Sequence, residues 1–135
     1  EKHPGLRFVD KLNTDSDKQK LSLAAVELAQ SLGARCIVVI TRRGLMADLV
    51  CNCRPVYSDI YAFTNVSQAR RTMTLGRGIR PFRIAFSQDP EKTLQTAFNV
   101  LKEREGFQSE EKVVVISDVL AGSGKIDAIQ IRHLP

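Results

Sequence analysis

The sequence predicts an α/β fold, specifically a three-layer α/β/α sandwich with a mostly parallel five-stranded sheet and an antiparallel final strand. Three observations predict it. Short β-branched runs such as Cys36-Ile-Val-Val-Ile40 and Lys112-Val-Val-Val-Ile-Ser117 read as strands buried on both faces. Helical periodicities separate successive strands, which makes the connections right-handed crossovers. Only residues 118–126 precede the last strand, too few for a helical crossover, so that strand returns antiparallel.

Taken in order, residues 1–13 carry little periodicity and are expected to form an arm or a fragment edge, with the domain over 14–135. Asn13-Thr14-Asp15-Ser16 offers N-cap candidates. Leu21, Ala24, Ala25, Leu28 and Leu32 follow at helical spacing, and Gly33 stops the helix. After the strand Cys36–Ile40, Thr41-Arg42-Arg43-Gly44 is a tight turn into a second helix. Its residues Met46, Leu49, Val50 and Cys53 repeat at i, i+3, i+4 and i+7, and Arg54-Pro55 ends it. Asp59–Phe63 reads as the second strand. Thr64-Asn65 caps a helix reaching about Leu75, with Val66, Ala69 and Met73 inward, and Gly76 and Gly78 break it. Pro81–Phe86 reads as a third strand near an edge. Asp89, Pro90 and Glu91 form the clearest helix start, because Asp caps, Pro fits the first helical position and Glu suits the positive end of the dipole. Leu94, Ala97, Phe98 and Leu101 make its apolar stripe, and Gly106 closes it. Lys112–Ser117 is the fourth strand, and Asp127–His133 alternates as an edge strand does. Ligands of such sheets bind outside the carboxyl ends of the strands, here Thr41–Gly44, Thr64-Asn65, Ser87–Asp89 and Asp118–Ile126.

Composition fits one globular domain: 135 residues, 43% hydrophobic and 26% charged, which excludes collagen-like and wholly disordered classes. No apolar run approaches the roughly 18–20 residues of a membrane span, so no membrane partner is expected. The start, Glu1-Lys2-His3-Pro4-Gly5, has no apolar signal region and no initiator Met, as expected of a piece of something longer. Cys36, Cys51 and Cys53 are odd in number, and Cys51 and Cys53 are too close for an ordinary bridge. That pattern suggests reduced thiols and a cytoplasmic location. No metal site is expected, because zinc wants four ligands and His3 and His133 lie at opposite chain ends.

The net charge of +5 is uneven. Residues 35–83 hold nine Arg, no Lys and two acids, for +7, while the remainder carries −2. Arginine's planar fork matches phosphate and carboxylate, so the bias suggests anion recognition or ion-paired interfaces, against a plain solvated face. Nucleic-acid binding is set aside: aromatics are only 6%, and no RNA- or DNA-binding motif is present.

Gly122-Ser123-Gly124-Lys125 invites a P-loop reading that fails. The first motif Gly would fall on Val119, the Ser/Thr after Lys on Ile126, and a strand follows instead of a helix. Gly76-Arg-Gly78 leads into a strand, so it is no dinucleotide fingerprint either. A glycine-rich loop still holds anions through its N–H groups, although such loops are also common simple turns. The turn Thr41-Arg42-Arg43-Gly44 lies between a buried strand and a helix N-terminus and carries two cations, an arrangement suited to an anion. The expected anion-binding set is therefore Thr41, Arg42, Arg43 and Gly44 with Gly122, Ser123, Gly124 and Lys125. No catalytic constellation is assembled by spacing: Asp48 and Asp59 are isolated, and Asp118 reaches the ligand edge without an evident partner.

Several of these pieces, in this order, resemble the C-terminal domain of pyruvate kinase. They are Thr41-x-x-Gly44-x-x-Ala47, Arg54-Pro55 after one helix, Arg77-Gly78-Ile79-x-Pro81, Lys112-Val-Val-Val-Ile, Gly122-Ser-Gly124, and a short β-tail closing on Pro135. The resemblance runs from about Leu21 to Pro135. It implies a regulatory and assembly domain appended to a catalytic barrel that transfers phosphate from phosphoenolpyruvate to ADP. Magnesium and potassium would serve that barrel, and this chain alone would hold no cofactor and catalyse nothing. The implied partners are the barrel of the parent chain, further copies in a tetramer, and a sugar-phosphate effector. Thr41 and Gly44 match the family's phosphate loop, whereas Arg43 and Met46 stand where hydroxyl residues are usual. Val119, Leu120 and Ile126 stand where the late loop usually carries Trp, Arg and Thr, which implies an altered effector site. A stand-alone phosphate-ligand sensor or interaction module on the same fold is the alternative.

Overall fold

Strand β1, Cys36–Ile40, is buried along its whole length and forms the middle of the sheet. The computed structural model describes residues 5–53, 59–73, 78–119 and 127–135, with side chains from residue 17 onward. The chain order is α1 (Gly5–Leu32), β1, α2 (Leu45–Asn52), β2 (Asp59–Thr64), α3 (Ser67–Met73), β3 (Ile79–Arg83), α4 (Pro90–Arg104), β4 (Lys112–Ser117) and β5 (Ala128–His133). The described strands form one sheet in the order β3-β2-β1-β4-β5. β1 pairs in parallel with β2, Ile40 beside Phe63, and with β4, Ile40 beside Ser117. β3 joins β2 in parallel, and β5 returns antiparallel on β4. The predicted sandwich and its final antiparallel strand are what the chain forms.

The strand pleat sorts side chains into two cores. Ile37, Val39, Ile60, Ala62, Val114 and Ile116 face one way and meet Ala25, Val26 and Ala29 of α1, Met46, Ala47 and Val50 of α2, and Met73 of α3. Cys36, Val38, Ile40, Tyr61, Phe63, Val113 and Val115 face the other way and meet Leu94, Ala97, Phe98 and Leu101 of α4. The α4 stripe is the one read from spacing. Its Asp89 cap accepts from Glu91 N at 3.0 Å, with Pro90 at the first helical position.

Some boundaries move. α1 begins at Gly5, so Asn13–Ser16 lie inside the helix rather than capping it. Capping residues permit a helix start without compelling one, and no proline or glycine interrupts the chain between Gly5 and Gly33. Ala24, expected inward, is exposed, while Ser22 is buried and donates to Lys18 O at 2.8 Å. α3 starts at Ser67, later than expected. Val66 therefore sits before the helix and is 41% exposed, its carbonyl accepting the first helical hydrogen bond from Arg70 N. β3 runs Ile79–Arg83 rather than Pro81–Phe86, because its register is set by β2, with Ile79 opposite Ile60. The helix stop expected at Arg54-Pro55 and the breaks at Leu75 and Gly76 lie outside the described residues.

α4 packs Leu94, Ala97, Phe98 and Leu101 into the second core. Phe98→Ala is expected to cost about 3–5 kcal/mol in urea unfolding, as the loss of a large buried side chain does. Leu23→Ala, on a residue 48% exposed, is expected to stay within about 0.5 kcal/mol of the parent.

Candidate anion-binding site at the carboxyl ends of the strands

The strand order reverses at β1. From it the chain winds outward through β2 to β3, then crosses to β4 on the other side. In open α/β sheets the crevice outside the carboxyl ends at such a reversal is where ligands bind. A cleft of about 540 Å³ opens there, lined by Arg42, Asn65, Phe86, Ser87, Gln88, Pro90, Thr93 and Val119. Each of the four carboxyl ends read from the sequence contributes to this lining.

The cleft is built from a few turns that satisfy their own backbone. Thr41 is buried, its N–H donates to Phe63 O at 3.0 Å, and its Oγ1 accepts from Gly44 N at 3.3 Å. Gly44 is the α2 N-cap at φ +90, and a Cβ there would meet Met73 Cγ at 3.1 Å. Thr64 Oγ1 donates to the Arg42 carbonyl at 2.8 Å and accepts from Val66 N at 3.1 Å. This tether fixes the Arg42 backbone over the end of β2 while its side chain lines the cleft. On the opposite wall, Ser87 N donates to Thr93 Oγ1 at 2.9 Å, and Asp89 N donates to Ser87 Oγ at 3.0 Å. On the β4 side, Val119 N donates to Ser117 Oγ at 3.0 Å. Asn65 Oδ1 is buried and has no hydrogen-bond partner among the described residues. An unsatisfied buried acceptor is costly, so it marks a place where a ligand or water donor is wanted.

Of the expected anion set, Arg42 lines the cleft, Thr41 and Gly44 shape the turn beneath it, and Arg43 is exposed beside it. Gly122, Ser123, Gly124 and Lys125 lie outside the described residues. Asn65, Ser87 and Gln88 fall within the strand ends read from the sequence, whereas Phe86, Pro90 and Thr93 lie outside them. Pro90 and Thr93 belong to the first turn of α4, next to the Ser87–Asp89 stretch. The basic segment divides by role. Arg35 pairs with Glu111 at 3.2 Å and stacks over Phe107, and Arg80 pairs with Glu105 at 3.2 Å. Those two belong to structure, whereas Arg42 makes no ion pair with a described residue and faces the cleft.

Asp118 has a partner that spacing does not show. Lys18 of α1 reaches Asp118 Oδ2 at 3.7 Å and Asp127 Oδ1 at 3.0 Å, tying both flanks of residues 120–126 to the first helix. Burial raises the Asp118 carboxyl above its ordinary value; Lys18 opposes the rise and Asp127 adds to it. Burial also raises the Cys36 thiol, which stays protonated inside the sheet.

Two outcomes follow from this geometry. Gly44→Ala should destabilise by about 1–3 kcal/mol in urea unfolding, since it strains a left-handed backbone and crowds Met73. Because the folded carboxyl of Asp118 binds its proton more tightly than the unfolded one, the stability it confers is complete below the ordinary value of 3.8 and is lost as pH rises through the raised value. The stability of Asp118→Asn relative to the parent should therefore improve as pH rises from about 4 to 7, and urea midpoints at several pH values read this directly. A difference independent of pH would contradict it.

Residues 19–132 match the family described as pyruvate kinase, alpha/beta domain. The chain is 34% identical over 122 residues to the chloroplastic pyruvate kinase isozyme A of Ricinus communis, covering 90% of this chain and 20% of that protein. It is 32% identical over 92 residues to plastidial pyruvate kinase 2 of Arabidopsis thaliana, covering 68% of this chain and 16% of that protein. The chain thus spans about a fifth or less of the length of these relatives. A solved Cryptosporidium parvum pyruvate kinase in complex with ADP superposes with a TM-score of 0.78 at 24% identity, covering 87% of this chain and 24% of that one, a likeness of fold. With its sheet order, its two cores and this match along most of its length, the chain belongs to the pyruvate kinase alpha/beta domain family.

Proposed function

We propose that this chain is the regulatory and assembly domain of a pyruvate kinase, with the phosphoryl transfer from phosphoenolpyruvate to ADP carried out in a barrel domain beyond it. The observation that carries the regulatory part is the cleft at the strand-order reversal, lined by Arg42 and by Asn65, whose Oδ1 is unsatisfied among the described residues. The Thr41–Gly44 turn and Arg43 would hold a phosphate there, joined by Gly122, Ser123, Gly124 and Lys125 from the late loop. Magnesium and potassium would belong to the barrel. Among the described residues no three His, Cys, Asp or Glu side chains converge as metal ligands, and Lys18 already occupies the space between Asp118 and Asp127.

Assembly into a homo-oligomer, a tetramer with the barrels, is supported by the sheet edges. β3 carries Pro81, which has no N–H to offer a neighbour, so that edge is blunted. β5 is the other edge, and its Ile131 is 48% exposed, which suits a twofold contact with a second copy. No helix among the described residues is long and apolar enough to cross a membrane. The odd cysteine count favours the cytoplasm, and the chloroplastic names of relatives favour a plastid instead; cell fractionation separates the two.

The 135-residue chain alone should show no pyruvate kinase activity, and measurable turnover would overturn the domain reading. Hexose phosphates at millimolar concentration should raise its melting temperature by mass action, and the absence of any shift would overturn the effector reading.

A further inference from the structure

We propose that the outer surface where α2 and α3 meet the end of β3 is a docking site for an acidic segment of a partner protein, one that carries aliphatic side chains among its carboxylates. Thr64, the last residue of β2, organises this surface. Its Oγ1 accepts from Val66 N at 3.1 Å and donates to the Arg42 carbonyl at 2.8 Å, so the approach to α3 lies against the β1–α2 turn. Arg83 lies beside Thr64 in the β2–β3 register, and Arg70 N donates to Val66 O at 3.1 Å, one turn into α3. The pleat puts Arg83 on the same face as Ile79, which joins the core that α3 helps to cover. Leu45 opens α2 directly after Gly44, the residue that Met73 of α3 approaches.

Arg43, at the border with the cleft, Arg70 and Arg83 are all exposed, and none makes an ion pair with a described residue. Beside them stand Leu45 and Val66, 43% and 41% exposed, two of the four large apolar side chains exposed among the described residues. Residues 35–83 contain only two acids. Asp59 is at the opposite, amino end of β2, and Asp48 stands on α2 one turn beyond Leu45. Residues 54–58 and 74–77 hold Arg54 and Arg77 and no Asp or Glu, so they cannot supply the missing carboxylates. Unpaired like charges on one surface are complemented by an acidic partner. The composition favours a protein over another polyanion. Protein interfaces are rich in Arg and poor in Lys, and residues 35–83 hold nine Arg and no Lys. A single-stranded nucleic acid wants aromatic faces for its bases, whereas the exposed apolar residues here are aliphatic. Leu45 and Val66 give such a partner apolar surface to bury.

Fluorescence anisotropy with the full 135-residue chain tests this. The labelled probes are a helical peptide of Glu with Leu at every third and fourth position, the same peptide with Ser for Leu, the same peptide with Gln for Glu, and a single-stranded oligonucleotide. Vesicles containing phosphatidylserine are tested by co-sedimentation. The Glu-Leu peptide should bind at least about tenfold more tightly than every other probe. Arg70→Glu, Arg83→Glu and Val66→Ser should each weaken it by about fivefold or more, and added salt should slow its association. Lys92→Glu, on the exposed surface of α4, should leave its binding within about twofold. All four substitutions fall on exposed residues, and circular dichroism confirms that the variants fold.

Equal binding of the Gln peptide would overturn the charge recognition, and equal binding of the Ser peptide would overturn the apolar part. Tighter binding of the oligonucleotide or the vesicles would overturn the assignment to a protein. Loss of self-association in Arg70→Glu, read by sedimentation equilibrium, would make the occupant a second copy and overturn the proposal. No binding of the Glu-Leu peptide, or unchanged binding by the Arg70, Arg83 and Val66 variants, would overturn the site itself.

Discussion

The rest of the fold depends on β1 being buried on both faces and hydrogen-bonded on both sides. Five apolar residues, Cys36–Ile40, have room for no water and no polar partner, so their backbone groups must be met by neighbouring strands. Parallel pairing with β2 and β4 meets them. The same pairing brings three carboxyl ends together at Thr41, Thr64 and Ser117, each a buried hydroxyl residue. Their side chains serve the turns that follow: Thr41 Oγ1 accepts from Gly44 N, Thr64 Oγ1 from Val66 N, and Ser117 Oγ from Val119 N. A hydroxyl at the end of each central strand converts a buried ladder into a defined turn, and the turns make the rim of the cleft.

The charges sort into structure and site by the same logic. Arg35 and Arg80 have aromatic and carboxylate partners at their own positions, so their charge is spent locally. Arg132 joins β5 to α4 through Glu91, over the ring of Phe98. Lys18 does the equivalent for α1 and the flanks of the late loop. Arg42 differs because its backbone carbonyl is held by Thr64 and the residue lines the cleft.

Much of this was legible in the chain itself. The α4 cap and stripe were readable because Asp89-Pro90-Glu91 and the spacing of Leu94, Ala97, Phe98 and Leu101 are local signals. The ends of β1, β2 and β4 were readable because each of these strands announces its own end, whereas β3 stops three residues earlier than expected. Helix starts were less so: Asn13–Ser16 offered caps the helix ignores, and Val66 looked inward until the register of α3 left it outside. Partners distant in sequence were not legible at all. Nothing in the spacing links Lys18 to Asp118 and Asp127, or Arg132 to Glu91.

By itself the sequence determined the alternation of helix and strand, the buried middle strands and the antiparallel tail, because these follow from local periodicity and connection length. Only the tertiary structure decided that β1 and β4 are neighbours, and therefore that Arg42 and Val119 share one cleft. The reason is physical: strand order is a choice among long-range pairings of similar apolar runs. Which pairing wins depends on how α1, α2, α3 and α4 divide between the two faces, and no short window of sequence contains that division.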